Sequence, residues 1–190
     1  MHIYTRHGDD GRTLLLSGQR VWKDDPRVQV CGGVDELCSW LGVLATHAPA
    51  GRPELAVQLR QVQGELFTVG AMAQLNGRTD QRTDIRPVGA RESGRMERWS
   101  DAIEAELPPV DGFVAPGGCP AAAFAHVARG VCRRVERGMV SLARNADTEG
   151  AAVLGEGVAY LNRLADFLFV VARFCNRLAN VEECIVTVGE

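Results

Sequence analysis

Apolar residues recur along this chain at three- and four-residue steps in five separate stretches, and each stretch predicts an amphipathic helix. Val28, Cys31, Val34, Cys38, Leu41 and Leu44 mark the first, over about 27–47. Ala48-Pro-Ala-Gly-Arg-Pro53 breaks it. The second runs over about 53–75 on Leu55, Leu59, Val62, Leu66, Val69 and Met72, with Phe67 reinforcing the stripe. Residues 76–89 are polar and hold both Gly and Pro, so they read as a loop. A third helix, the most polar, spans about 91–107 on Met96, Trp99, Ile103 and Leu107 and stops at Pro108-Pro109. The fourth covers about 120–143 and opens on Pro120, a residue suited to a first helical turn. Residues 145–157, rich in Gly, Ala and Asp, read as a loop. The fifth, about 158–180, is apolar on most sides, which places it at the centre of a bundle or against another subunit. Residues 184–188 are β-like. The prediction is an all-α, five-helix bundle. It forms one domain over 1–190, with an irregular segment 1–26, helices over about 27–181 and a short tail 182–190.

One stretch breaks the amphipathic rule. In the fourth helix Arg129, Arg133 and Arg137 stand four residues apart, with Arg134 and Glu136 beside them. Each step of four advances roughly 6 Å along nearly the same face. Like charges at that spacing repel, so the row suits an anion, and guanidinium suits phosphate by its bidentate geometry. A solvated basic face is the plainer alternative. Gly130 inside the helix costs about 1 kcal/mol relative to Ala, which points to close approach by a partner. Phe113-Val-Ala-Pro-Gly-Gly118 forms an abrupt turn ahead of the helix. Asp35 borders the apolar face of the first helix, where a carboxylate is either exposed or paired with a cation elsewhere. Asn162 and Asp166 share a face of the fifth.

Segment 1–26 mixes Gly8, Gly11 and Gly18 with Thr5, Arg6, His7, Arg12, Thr13, Arg20 and Lys23. Exposed backbone N–H groups, hydroxyls and cations are what a phosphate-wrapping loop uses. The spacing is not a Walker A loop, and an unstructured terminus is the alternative.

Composition narrows the function. The chain has 190 residues and a net charge of −3. That balance disfavours general nucleic-acid or membrane-surface binding. Residues 1–10 lack the apolar core of a signal peptide, and no apolar run reaches the ~18 residues of a membrane span. Six cysteines occur without a Cys-x-x-Cys pair, which predicts reduced, buried thiols in a cytoplasmic protein rather than a zinc site.

Three stretches together resemble the PduO-type ATP:cob(I)alamin adenosyltransferases. They are residues 4–13 with 18–25 and 34–37; residues 113–118 with 126–137; and residues 160–173. They lie in order and span essentially the whole chain. The resemblance implies transfer of the 5′-deoxyadenosyl group of ATP, accompanied by Mg²⁺, to the cobalt of cob(I)alamin. It also implies a homotrimer with active sites between subunits. On it, Thr5, Arg6, His7, Gly8, Thr13 and Lys23 wrap ATP. Arg133, Arg134, Glu136, Arg137 and Asn162 hold its phosphates and nucleoside. Arg129 pairs with Asp35, these two and Arg133 forming the catalytic set, and Phe113 lies beneath the corrin. A reductase and an adenosylcobalamin-dependent enzyme are the implied partners. The chain departs from the family pattern at His7 (usually Thr), Cys31 (Tyr), Cys38 (Asn or Ser) and Cys119 (Ser). Small apolar packing is the favoured reading of these cysteines, an altered corrinoid pocket or a site for another metal complex the other. Two further functions stay open at this point: a non-catalytic escort delivering adenosylcobalamin, and a purely structural bundle.

Overall fold

The computed structural model describes Tyr4 and residues 6–78 and 85–187. Helices α1 (Pro26–Thr46), α2 (Pro53–Gln74), α3 (Ala90–Glu104), α4 (Pro120–Arg144) and α5 (Thr148–Leu178) form the bundle. Two small antiparallel ribbons stand at its ends: β1 (Arg12–Leu14) with β2 (Arg20–Trp22), and β3 (Phe113–Val114) with β4 (Ile185–Val186). Thr5 lies outside the described residues.

Helix starts follow from local chemistry. Pro26, Pro53 and Pro120 each occupy a first turn, where a missing N–H costs nothing. Asp25 caps α1 by accepting from the Arg27 N–H at 2.9 Å. Asp147 caps α5 by accepting from the Gly150 N–H at 2.9 Å. That cap starts α5 ten residues earlier than the composition suggests, and the expected loop over 145–157 is largely helix. Gly150 and Gly157 are packing contacts there, not breakers. A Cβ on Gly157 would meet Met72 Cε at 3.2 Å, and one on Gly150 would lie 2.5 Å from the Asn76 carbonyl oxygen.

α5 runs through the middle of the bundle, against α4 and α3 along its length and against α2. Leu154, Tyr160, Leu161, Leu164, Phe167 and Leu168 are fully enclosed. Burying a side chain of this size stabilises by about 1.5–3 kcal/mol. α1 crosses α4 at two reciprocal glycine contacts. Added Cβ atoms on Gly33 and Gly138 would come within 2.9 Å of Val135 and 2.8 Å of Val30. Gly130 differs: nothing lies within 4 Å of its Cβ position, so the close partner expected there is not among the described residues. Phe67 also departs from expectation, being 69 % exposed on α2. α1 is long and apolar enough by length and composition to cross a membrane. Here it packs on α2 and α4 and carries Asp35 and Glu36.

Candidate active site

Residues 12–22 form a hairpin that the sequence pattern missed. Its strands are three residues each, too short for an alternation to register. Gly18, at φ +80°, closes the turn, and Leu15 and Gln19 are bonded across it at 2.9 Å. Leu15 and Val21 are buried beneath it. The Leu16 N–H donates to Gln74 of α2, and Arg27 of α1 donates to Gln19, so the hairpin is tied to two helices.

Between the hairpin and the turns of residues 6–11 lies a hollow of about 540 Å³. His7, Gly8, Thr13 and Lys23 line it, as expected, together with Arg12, Leu14 and Arg20. A Cβ on Gly8 would meet Lys23 Nζ at 3.1 Å, so the absent side chain is what lets the ammonium lie over the turn. Asp10 accepts from Arg20 at 2.8 Å and from the Arg12 N–H at 3.1 Å. That backbone bond, with the charge of Arg20 adding to it, holds the Asp10 carboxyl below the usual carboxylate range. Arg6 lies instead over the Tyr4 ring, 5.7 Å from its centroid.

A second concavity, of about 460 Å³, opens between the β3–β4 ribbon, the end of α3 and the facing sides of α4 and α5. Arg129, Arg133, Asp166, Phe169 and Phe113 line it, and the Phe113 ring is 69 % exposed. An exposed phenylalanine on a two-residue strand requires strong anchorage, and three contacts supply it. Phe113 pairs with Val186 across the ribbon. The buried Arg173 donates to Glu183 at 3.1 Å and to the Pro108 carbonyl at 2.8 Å, tying both arms to α5. Asn176 donates to the Gly117 carbonyl at 3.1 Å and accepts from the Cys119 N–H at 2.9 Å, clamping the turn into α4.

The Arg row divides. Arg129 and Arg133 enter this concavity, the Arg129 guanidinium 5.8 Å from the Phe169 ring centroid. Arg137 lies in a neighbouring hollow with Arg144. Arg134 pairs with Glu36 of α1. Asn162 donates to Glu136 at 3.2 Å, locking α5 to α4. Among the described residues, Arg129, Arg133 and Arg137 form no ion pair with a carboxylate, so their charge is available to an anion. Asp35 is exposed on the side of α1 that carries Cys31 and Cys38 toward α2, and it does not meet Arg129 within the chain.

Two of the cysteine departures, Cys31 and Cys38, pack against α2. Cys31 and Cys38 donate to the carbonyls of Gly70 and Gln63 on α2. Burial, with Asp35 adding to it, pushes the Cys38 thiol up to about 11. Such thiols are poor metal ligands, and among the described residues no trio of His, Cys, Asp or Glu is placed to hold a metal.

His126, one turn before Arg129, is a residue that the sequence did not single out. It is 7 % exposed, its two ring nitrogens have no hydrogen-bond partner, and its edge faces Phe169 at 6.3 Å. Burial, and then the Arg129 charge, lower its pKa below 6.5, against a smaller opposing effect of Glu183. Below pH 6.5 the unfolded chain therefore binds the proton more readily, and stability present above that pH is lost as pH falls through the folded value. Thermal melting should drop between about pH 7 and pH 5, and His126→Phe should flatten that limb.

The chain is similar to known proteins along most of its length. A family model described as cobalamin adenosyltransferase matches residues 3–175. A corrinoid adenosyltransferase of Mycobacterium tuberculosis is 40% identical over 178 residues, 92% of this chain and 88% of that one. One from Bacillus subtilis is 35% identical over 185 residues, 95% of this chain and 90% of that one. Among solved structures, a phenylalanine-to-alanine variant of a PduO-type ATP:corrinoid adenosyltransferase from Lactobacillus reuteri, complexed with cobalamin and ATP, superposes with a TM-score of 0.88. It is 31% identical, with 97% of this chain and 99% of that one covered. An arginine-to-lysine variant of the same kind of enzyme, complexed with ATP, gives 0.85 at 30% identity, covering 97% of this chain and all of the other.

Proposed function

The chain belongs to the cobalamin adenosyltransferase family, and from that premise we propose how its residues move the 5′-deoxyadenosyl group of ATP onto the cobalt of a reduced corrinoid. Cobalt(I) supplies the electron pair. A cobalt–carbon bond forms at the 5′ carbon as the carbon–oxygen bond breaks, and the electron pair departs with triphosphate. The substrate is thus its own nucleophile, and the protein's work is orientation and stabilisation of the leaving charge.

The observation that carries this reading is the shared concavity. It sets the bare ring of Phe113 beside Arg129 and Arg133, two guanidiniums that form no ion pair among the described residues. An apolar ring there excludes water and a lower axial ligand from the cobalt. Arg133 faces the departing triphosphate. Arg134, Glu136, Arg137 and Asn162 order the rest of the nucleotide on the same helix pair. His7, Gly8, Thr13 and Lys23 wrap the phosphates from the hairpin, and the family resemblance adds Thr5 and Arg6 to this set. Mg²⁺ arrives on the nucleotide and keeps phosphate and water ligands, in line with its preference for few protein ligands. A reductase makes the cobalt(I), and an adenosylcobalamin-dependent enzyme consumes the product.

The hairpin hollow and the Phe113 concavity share no lining residue. We assign them to one site completed by two copies of the chain in a homotrimer, where Asp35 of one copy meets Arg129 of the next. Mixing tests this. Lys23→Ala and Arg133→Ala protein, each impaired alone, should regain activity when co-assembled, because some interfaces then carry two intact halves. Co-assembled protein no better than the average of its parents would show that each chain builds its own site. The turnover reading also separates this protein from an escort, since the relatives are named as adenosyltransferases.

A further inference from the structure

Arg12 is the one hollow-lining arginine that forms no ion pair among the described residues, although its charge also helps to lower the Asp10 carboxyl. Arg20, its neighbour across the hairpin, is held by Asp10 at 2.8 Å. Both Asp10 oxygens are in use, one on Arg20 and the other on the Arg12 backbone N–H. The Arg12 guanidinium carbon instead lies over the indole of Trp22, 4.4 Å from the ring centroid. The two residues are cross-strand partners, Arg12 opposite Trp22, so the stack is set by the register of the hairpin. Gly11, at φ +80°, lies against the same ring, and its Cβ position is 3.6 Å from the indole. Trp22 is nevertheless 55 % exposed. An indole in that position buries little area of its own. What it does is fix the plane of a guanidinium at the edge of a basic hollow.

Stacking occupies the face of a guanidinium and leaves its N–H edge free. An edge held in place and unpaired is suited to two parallel bonds to one phosphate group. We propose that Arg12 is a phosphate clamp for the triphosphate of ATP, and that Trp22 is the positioning residue that holds it there. The inference rests on the reading of the hairpin hollow as the nucleotide's phosphate site.

Kinetics on the full-length protein test it, with ATP and inorganic triphosphate as the two probes. Arg12→Gln should raise the KM for ATP and the inhibition constant for triphosphate about tenfold or more, the loss expected for a charged hydrogen bond. kcat and the KM for cob(I)alamin should stay within about threefold, because the reacting centre is untouched. Arg12→Lys should recover only part of the loss, since an ammonium neither stacks flat nor bonds bidentately. Trp22→Phe should behave nearly as the parent, whereas Trp22→Ala should raise the KM for ATP severalfold. Melting without nucleotide should be unchanged in each variant, and the rise in melting temperature that ATP induces should shrink in Arg12→Gln. Parent-like KM and inhibition constants in Arg12→Gln, with Lys23→Ala impaired, would overturn the clamp and leave the hollow as the phosphate site. If Lys23→Ala is also unimpaired, the phosphate-site reading falls with it.

Discussion

Replacing Arg133 by alanine is expected to lower kcat/KM for ATP by about 10²–10³-fold, the cost of removing one preorganised donor from developing charge. Arg133 is exposed, and no carboxylate among the described residues depends on it. Its removal therefore leaves no orphaned charge in the bundle, and the melting temperature should not move. The loss should fall on kcat at least as much as on KM, because the triphosphate carries more localised charge as it leaves than it does in ATP. Arg133→Lys keeps the charge but loses the fork, and should recover only in part. Turnover within about threefold of the parent would remove Arg133 from the leaving-group site.

The largest effect on stability is expected at Gly118. Its φ is +101°, and a Cβ there would lie 2.0 Å from Asn176 Oδ1. That oxygen is not free to retreat. Asn176 is 2 % exposed and bonds to the backbone on both sides of the turn, at Gly117 and Cys119. Gly118→Ala should cost about 2–4 kcal/mol, combining backbone strain with a broken buried amide network. For a chain of this length that lowers the melting temperature by roughly 5–15 °C. The same turn leads from Phe113 into α4, so corrinoid-dependent activity should fall in protein that remains folded. A melting temperature within about 2 °C of the parent would mean that the turn tolerates a side chain.

Helix existence was legible because apolar residues at three- and four-residue steps leave few alternatives, and Pro26, Pro53 and Pro120 mark the starts. The first turns of α5 were not. Gly150, Gly155 and Gly157 read as breakers in one dimension, whereas Gly150 and Gly157 are close contacts with α2 and its C-terminal turn. The hairpin escaped because three-residue strands carry no period, and its register depends on Gly18 and on anchors in Gln74 and Arg27 that are distant in sequence. The Arg row was legible as a basic face but not as a division of labour. At 3.6 residues per turn, each step of four rotates by about 40°. Arg137 is thus about 80° around the helix from Arg129, enough to leave the concavity that Arg129 and Arg133 share. Arg134 is turned toward Glu36. Arg12 read only as one of several cations in the N-terminal segment, and His126 and Trp22 were not singled out, because their interest lies in what they lack or in what they stack on.

The most direct measurement mixes the purified protein anaerobically with Mg-ATP and chemically reduced cob(I)alamin and follows the corrinoid spectrum. The account predicts conversion to a light-sensitive alkylcobalamin, with one triphosphate released per corrinoid converted. Unaltered cob(I)alamin, or ATP cleaved to ADP and phosphate without alkylation of cobalt, would contradict it.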